Sequence, residues 1–380
     1  MVSLPYGRAP YPLELHGRAV TWLESPAPPP AQPVRPLLEA ALDAPIGLAA
    51  VDRLVGVGGR VTVIVSDHTR REPRSDFLAA LRARLPDRRW TLAIATGTHG
   101  PCGLGQLGIA PALVRDMVVV DHDGHRDEDL VVLGTTPHGT VARVHRCVVE
   151  SDLVIATGGI KPHYFAGFGA GVKAVFPGLG AAGDVRHNHE LKSAPGAKAG
   201  IVDGNPCRAD LEAVVAMVPA PIFLLNGICA SDGSIFAAVA GDPRAAFRRG
   251  VELARPQFTV RAEPADLVIA SDELPVTATL YQSAKIAAAM APLVKPGGLL
   301  LLVAECPDGI GGLEVVNEKI FRIGVLPRLA AGVRLGLVSG LEAAIARTTL
   351  LEPFDSIPLA LNQVRGSVIV APRASQLLLS

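Results

Sequence analysis

The sequence predicts an α/β protein of two domains, with mostly parallel sheets flanked by helices. Three observations carry that expectation. First, short runs of β-branched residues and leucine recur at 60–65, 90–95, 117–121, 152–156, 222–226, 266–270, 298–304 and 367–371 of the 380 residues; they read as strands buried on both faces. Second, helix patterns lie between them, among them Ser75 to Leu85, with Ser75 as the expected N-cap, and Leu280 to Leu293. Third, the pentapeptide "DLVIA" occurs at 152–156 and again at 266–270, each time before a loop and a lysine-bearing helix pattern, which hints at two α/β units, although five identical residues in a strand-rich chain can also recur by coincidence. The chain is long enough for two cores. A boundary at "ARPQFTVRAEP" divides an N-terminal domain, 1–255, from a smaller C-terminal one, 256–380.

Charge and cysteine usage narrow the classes of function. Lys plus Arg and Asp plus Glu number 36 each, with no basic stripe, so nucleic acid is not an expected partner. The apolar run "VVAMVPAPIFLLNGICA" is broken by two prolines and an asparagine, and no membrane span is expected. The five cysteines form no C-x-x-C pair, and the first residues lack a basic region followed by an apolar stretch, as in a reduced, cytoplasmic protein. Only seven of the 36 basic residues are lysine. Where a chain writes arginine by default, a lysine among apolar residues points to an amine chemistry that a guanidinium lacks, and Lys173 and Lys285 are so placed.

Ligands of open parallel sheets bind beyond the carboxyl ends of the strands. The residues there are polar and reactive: "SDHTRREP" after 60–65, "TGTHG" after 90–95, "TGGIKPHYFAG" after the first "DLVIA", and "SDELPVTATLYQSAK" after the second. Asp67, Arg70, His99, His163, Lys173, Gln282 and Lys285 are therefore candidates for one cleft. Taken singly, each has a plain structural role open to it, Asp67 as a turn cap, Arg70 as a surface charge, His163 as a packed core histidine. Gln282 and Lys285, three apart, share a helix face suited to a carboxylate or phosphate. His187 and His189 form an H-x-H that, in an extended segment, turns both rings to one side as metal ligands. Arg71 and Arg74 are expected to face solvent.

Two other readings stay open on these residues alone. One is a zinc-dependent hydrolase using His122 and His125 of "DHDGH", or His187 with His189, although no H-E-x-x-H is present. The other is a non-catalytic nucleotide or cofactor-binding protein, with the glycines of 167–180 around a phosphate.

The ordered set "SDHTR", "ATGTH", "KPHYFAGFGAGVKAVFPG", "HNH" and "LYQSAK" resembles the nickel-pincer-dependent lactate racemases and related 2-hydroxyacid racemases and epimerases. The resemblance implies a two-domain α/β fold with the active site in the interdomain cleft. It implies covalent attachment of a nickel-pincer pyridinium mononucleotide to Lys173, nickel coordination by His189, and His99 and His163 as paired catalytic bases. Arg70, Lys285 and Gln282 correspond to groups around the substrate carboxylate and hydroxyl, and Asp67 and Gln282 to polar partners of the cofactor. Loading would need cofactor-synthesis proteins. The segment reads "GAGVK" where the family commonly carries SGG and a basic residue, which leaves the tether in place. The chemistry agrees with these roles. The α-hydrogen of a hydroxycarboxylate is too weakly acidic for an imidazole of ordinary pKa about 6.5, whereas hydride removal with a base on the hydroxyl needs one base per enantiomer.

Overall fold

The computed structural model describes residues 2–380. The chain forms two compact units, one of Ala27–Gln257 and one of Met1–Pro26 with Phe258–Ser380. The first 26 residues thus depart from the expected division at 255. Strand Thr21–Trp22 adds in parallel to Val368–Ala371, and Leu4 and Leu13 pack into the apolar layer under that sheet. Sequence distance does not weigh against a strand that completes a sheet edge.

In the Ala27–Gln257 unit, six strands lie in the order Ile235–Gly241, Ile222–Cys229, Leu153–Ile160, Arg60–Ser66, Arg89–Ala95 and Val118–Asp121. All pairings are parallel except that of the edge strand Ile235–Gly241. All eight residues of Leu153–Ile160 are buried, as a strand covered on both faces should be. Val118–Asp121 departs from that expectation: at the sheet edge, Val118 and Val119 are exposed. The chain builds outward from Arg60–Ser66 on one side, then returns to its other side with Leu153–Ile160. The topological switch point, where such sheets place their ligands, lies between these two strands.

The second unit holds an all-parallel sheet in the order Glu352–Pro353, Arg334–Val338, Val294–Val303, Ala265–Ser271, Val368–Ala371 and Thr21–Trp22. The two "DLVIA" segments therefore lie one in each sheet. Helix Leu280–Met290 is capped by Thr279, whose Oγ1 accepts from the Gln282 N–H at 3.2 Å. Ser75 is not an N-cap, since helix Arg74–Arg84 starts one residue earlier behind Pro73. Its hydroxyl instead bonds the neighbouring 108–110 turn, accepting from the Ala110 N–H at 3.1 Å. Among the described residues no helix is long and apolar enough to cross a membrane.

Candidate active site

The loop after Arg60–Ser66 is fixed by its own side chains. Asp67, 4% exposed, turns back so that Oδ1 accepts from the backbone N–H and the hydroxyl of Thr69, at 3.0 and 2.5 Å. Its Oδ2 lies 2.6 Å from Nδ1 of His99, from the loop after Arg89–Ala95. Burial pushes the Asp67 carboxyl up, but hydrogen bonds from His99 and Thr69 and the charge of Arg70 overcome it and hold it at about 2. An ionised carboxylate keeps the shared proton on Nδ1, so Nε2 of His99 carries a free lone pair on a ring that is half exposed. This is the arrangement of a base oriented by a carboxylate. Arg70 is exposed beside it, its Nη1 donating to Thr69 Oγ1 at 3.2 Å.

Lys161 to Ala174 forms the other half. Pro162–His163 pairs antiparallel with Gly167–Phe168 in a tight hairpin. Gly167 has φ +75°, and a Cβ there would fall 2.1 Å from the Ile201 carbonyl oxygen, so only glycine closes this turn. Nδ1 of His163 accepts from the Ala166 N–H at 3.2 Å, which places the proton of the neutral ring on Nε2. That Nε2 is 3.4 Å from Nζ of Lys173. Lys173 sits in the short turn Gly171–Ala174, anchored where the buried Asn226 Oδ1 accepts from the Gly171 N–H at 2.9 Å.

His189 joins this cluster through Phe165. The Phe165 ring meets His163 edge-on at 4.6 Å and His189 at 4.8 Å between centroids, with Lys173 Nζ 5.6 Å from its centre. Burial, with the charges of Lys173 and Lys192, pushes the His189 imidazole down to about 3. It is therefore neutral near pH 7, as a metal ligand must be. Its Nδ1 is buried without a hydrogen-bond partner.

The H-x-H expectation needs correction. Residues 187–189 lie in helix Ala182–Glu190, not in an extended segment. Two residues along a helix turn the side chains to different faces. His187 is exposed and donates from Nε2 to the His138 carbonyl at 3.1 Å. Asn188, fully buried between them, donates to Asp210 Oδ2 at 2.8 Å.

Gln282 and Lys285 share a face of helix Leu280–Met290 in the second unit, and the Lys285 ammonium donates to Gln282 Oε1. The structure thus gathers Asp67, His99 and Arg70 at the ends of the neighbouring strands Arg60–Ser66 and Arg89–Ala95, and His163, Lys173 and His189 around Phe165, within one unit. His122 and His125 do not form a zinc pair: His122 is sealed in the core, donating to the Gly180 carbonyl at 3.0 Å, while His125 is exposed. Among the described residues no group of three or more His, Cys, Asp or Glu is placed to hold a metal ion.

Three contributors escaped the sequence reading. Arg74 is buried and does not face solvent. Its guanidinium donates to the carbonyls of Ser66 at 2.8 Å, Arg70 at 2.5 Å, Asp67 and, at 3.4 Å, Leu107, tying down the whole Asp67 loop. Glu72 accepts from the Gly159 N–H at 3.0 Å. Phe165 is the hub of the second cluster. All three lie in or beside these strand-end segments, but their partners include groups far along the chain, which the local sequence does not show.

A doubly wound α/β enzyme carrying a carboxylate-oriented histidine, a second histidine and a lysine at its strand ends is the class these features define. The family model described as the lactate racemase N-terminal domain matches residues 6–200. The lactate racemase of Thermoanaerobacterium thermosaccharolyticum is 34% identical over 286 residues, 73% of this chain and 67% of that protein. The lactate racemase of Lactiplantibacillus plantarum is 31% identical over 284 residues, 72% and 67% of the two chains. The apoprotein structure of the Thermoanaerobacterium thermosaccharolyticum enzyme superposes with TM-score 0.87 at 26% identity, over 100% of this chain and 99% of that one. A Thermotoga maritima protein shares the fold, with TM-score 0.66 at 16% identity over 91% and 98% of the chains. The chain belongs to the lactate racemase family, and it is an isomerase.

Proposed function

We propose that the protein interconverts the enantiomers, or epimers, of lactate or a related 2-hydroxycarboxylic acid by reversible hydride removal from C2 through a 2-ketoacid. The observation that carries this reading is the Asp67–His99 pair at the same sheet switch point as His163 and Lys173. One histidine removes the hydroxyl proton on the face where the C2–H bond breaks. The other returns a proton to the carbonyl oxygen when that bond re-forms on the opposite face. His99, held by the Asp67 carboxylate, is built to accept a proton at Nε2. Arg70 grips the carboxylate with its planar fork, and Lys285 and Gln282 serve the carboxylate and hydroxyl.

The residues fit the nickel-pincer pyridinium mononucleotide that the family resemblance implies. Lys173 offers a half-buried amine beside His163, and His189 offers a neutral imidazole with an unpartnered buried nitrogen. Lys173 is the covalent attachment point, His189 the nickel ligand, and Asp67 and Gln282 polar contacts. When bound, that group supplies the hydride acceptor. Cofactor-synthesis proteins are the loading partners, and five free cysteines fit a reducing compartment such as the cytoplasm.

The test is to incubate cofactor-loaded protein with single-enantiomer 2-hydroxyacids in heavy water. Inversion with hydrogen retained at C2 is expected. Deuterium appearing at C2 would replace hydride transfer by direct proton abstraction, and inversion of none of the acids would overturn the substrate class.

A further inference from the structure

At the switch point the two central strands part. Leu153–Ile160 pairs with Arg60–Ser66 only as far as Ala156 against Ile64, while on its other side it stays paired with Ile222–Cys229 through Ile160. Backbone groups of residues 157–160 that face Arg60–Ser66 therefore lose their strand partner. A buried N–H left without an acceptor is destabilising. Two side chains close the gap. Thr157 Oγ1 donates to the Ile64 carbonyl at 2.7 Å, and Glu72 Oε1 accepts from the Gly159 N–H at 3.0 Å.

The second bond joins two loops that the site needs together. Glu72 lies on the segment that carries Asp67 and Arg70, and through Asp67 it is linked to His99. Gly159 lies four residues before His163, on the strand that feeds the hairpin. The Glu72 side chain has no second hydrogen bond, since its Oε2 is buried and unpartnered. The strand facing Glu72 carries glycine at both positions: a Cβ at Gly159 would run into Cys229 Sγ at 2.6 Å, and one at Gly158 would come 3.2 Å from Ala170 Cβ.

We propose that Glu72 is a positioning residue that, through the Gly159 N–H, ties the Asp67–Arg70 loop to the strand leading into His163 and Lys173, fixing the spacing of the two histidines. The proposal rests on reading those histidines as the proton-transfer pair. Arg74 holds the inner shape of the Asp67 loop, whereas Glu72 holds that loop against its neighbour. No charge is required of Glu72 for this task, only an acceptor at the Oε1 position.

The experiment compares Glu72→Ala and Glu72→Gln with the unaltered protein by amide exchange at Gly159 in apoprotein and by steady-state racemisation in cofactor-loaded protein. In Glu72→Ala the Gly159 amide should exchange about tenfold faster, and kcat should fall about 10–100-fold with little change in KM. Glu72→Gln keeps an acceptor and should restore most of both. If the alanine variant does not fold, Glu72→Leu, which fills the space without an acceptor, reads the same way. Unchanged Gly159 exchange in Glu72→Ala overturns the tether. Faster exchange with unaltered kcat overturns the positioning role, as does a glutamine variant as impaired as the alanine one. If Gly159 exchange responds as expected but the loaded, unaltered protein turns over no 2-hydroxyacid, the functional reading fails and the tether stands.

Discussion

Nε2 of His163 lies 3.4 Å from Nζ of Lys173, and because its Nδ1 already accepts the Ala166 N–H, the neutral ring presents an N–H to the lysine. A lysine places a primary amine beside this imidazole, whereas an arginine would bring a guanidinium with no comparable nucleophile.

The first prediction follows for Lys173. Protein co-produced with cofactor-synthesis proteins should show an intact-mass adduct that maps to the peptide containing Lys173. Lys173→Arg keeps the charge but has no amine to acylate, and should carry none. An adduct of the same mass on that variant would place the attachment elsewhere.

His189 and His187 should separate cleanly. His189 faces Phe165 and Lys173, whereas His187 bonds the His138 carbonyl. His189→Ala should lose bound nickel, measured by elemental analysis of the loaded protein, and His187→Ala should retain it. The opposite pattern would reassign the ligand to His187.

Asp67→Asn should leave the fold intact and lower kcat by about 10²–10⁴-fold, because His99 loses the anion that keeps its proton on Nδ1. The carboxyl, held at about 2 in the folded protein, titrates near 3.9 when unfolded. Its stabilisation, about 2 kcal/mol, is present above pH 4 and lost as pH falls from about 4 to 2. Denaturant titrations of the two proteins should therefore converge in that window. A parallel offset at pH 5 and pH 2 would disprove the coupling.

Moderate acid should act through His145. Burial, and then the neighbouring His122, push its imidazole down to about 4, against about 6.5 unfolded. The unfolded chain therefore takes the proton first, and stability falls as pH drops below 6.5, by about 2 kcal/mol between pH 7 and 5. His145 Nδ1 also accepts from the Cys147 N–H at 3.2 Å, a bond that an asparagine can replace. His145→Asn should flatten the pH dependence of the urea midpoint, followed by Trp90 fluorescence in a Trp22→Phe background. An unchanged slope would assign the acid sensitivity to other groups.

The strands were legible because parallel sheets bury both faces and so write continuous apolar runs. Leu153–Ile160 and Ala265–Ser271 announce themselves in this way. Thr21–Trp22 is two residues long and carries no such run; it exists only because Val368–Ala371 offers an open edge. The helical setting of His187 and His189 is not legible in the sequence for a related reason. "HNH" is locally compatible with either backbone, and the choice is made by buried Asn188 bonding to Asp210.

Which chemistry follows which strand is written in the linear order of residues: carboxylate and arginine after 60–65, a histidine after 90–95, a histidine and a lysine after "DLVIA". Strand-end loops are where an open sheet exposes such groups, so type and place could be read together. The partners of these groups are set by the fold. That Asp67 orients His99, that Phe165 gathers His163, Lys173 and His189, that Arg74 turns inward and that Glu72 bridges to Gly159 depend on distances between segments far apart in the chain. Hydrogen bonds and ring contacts act over a few ångströms in space, and a linear order of residues does not contain those distances.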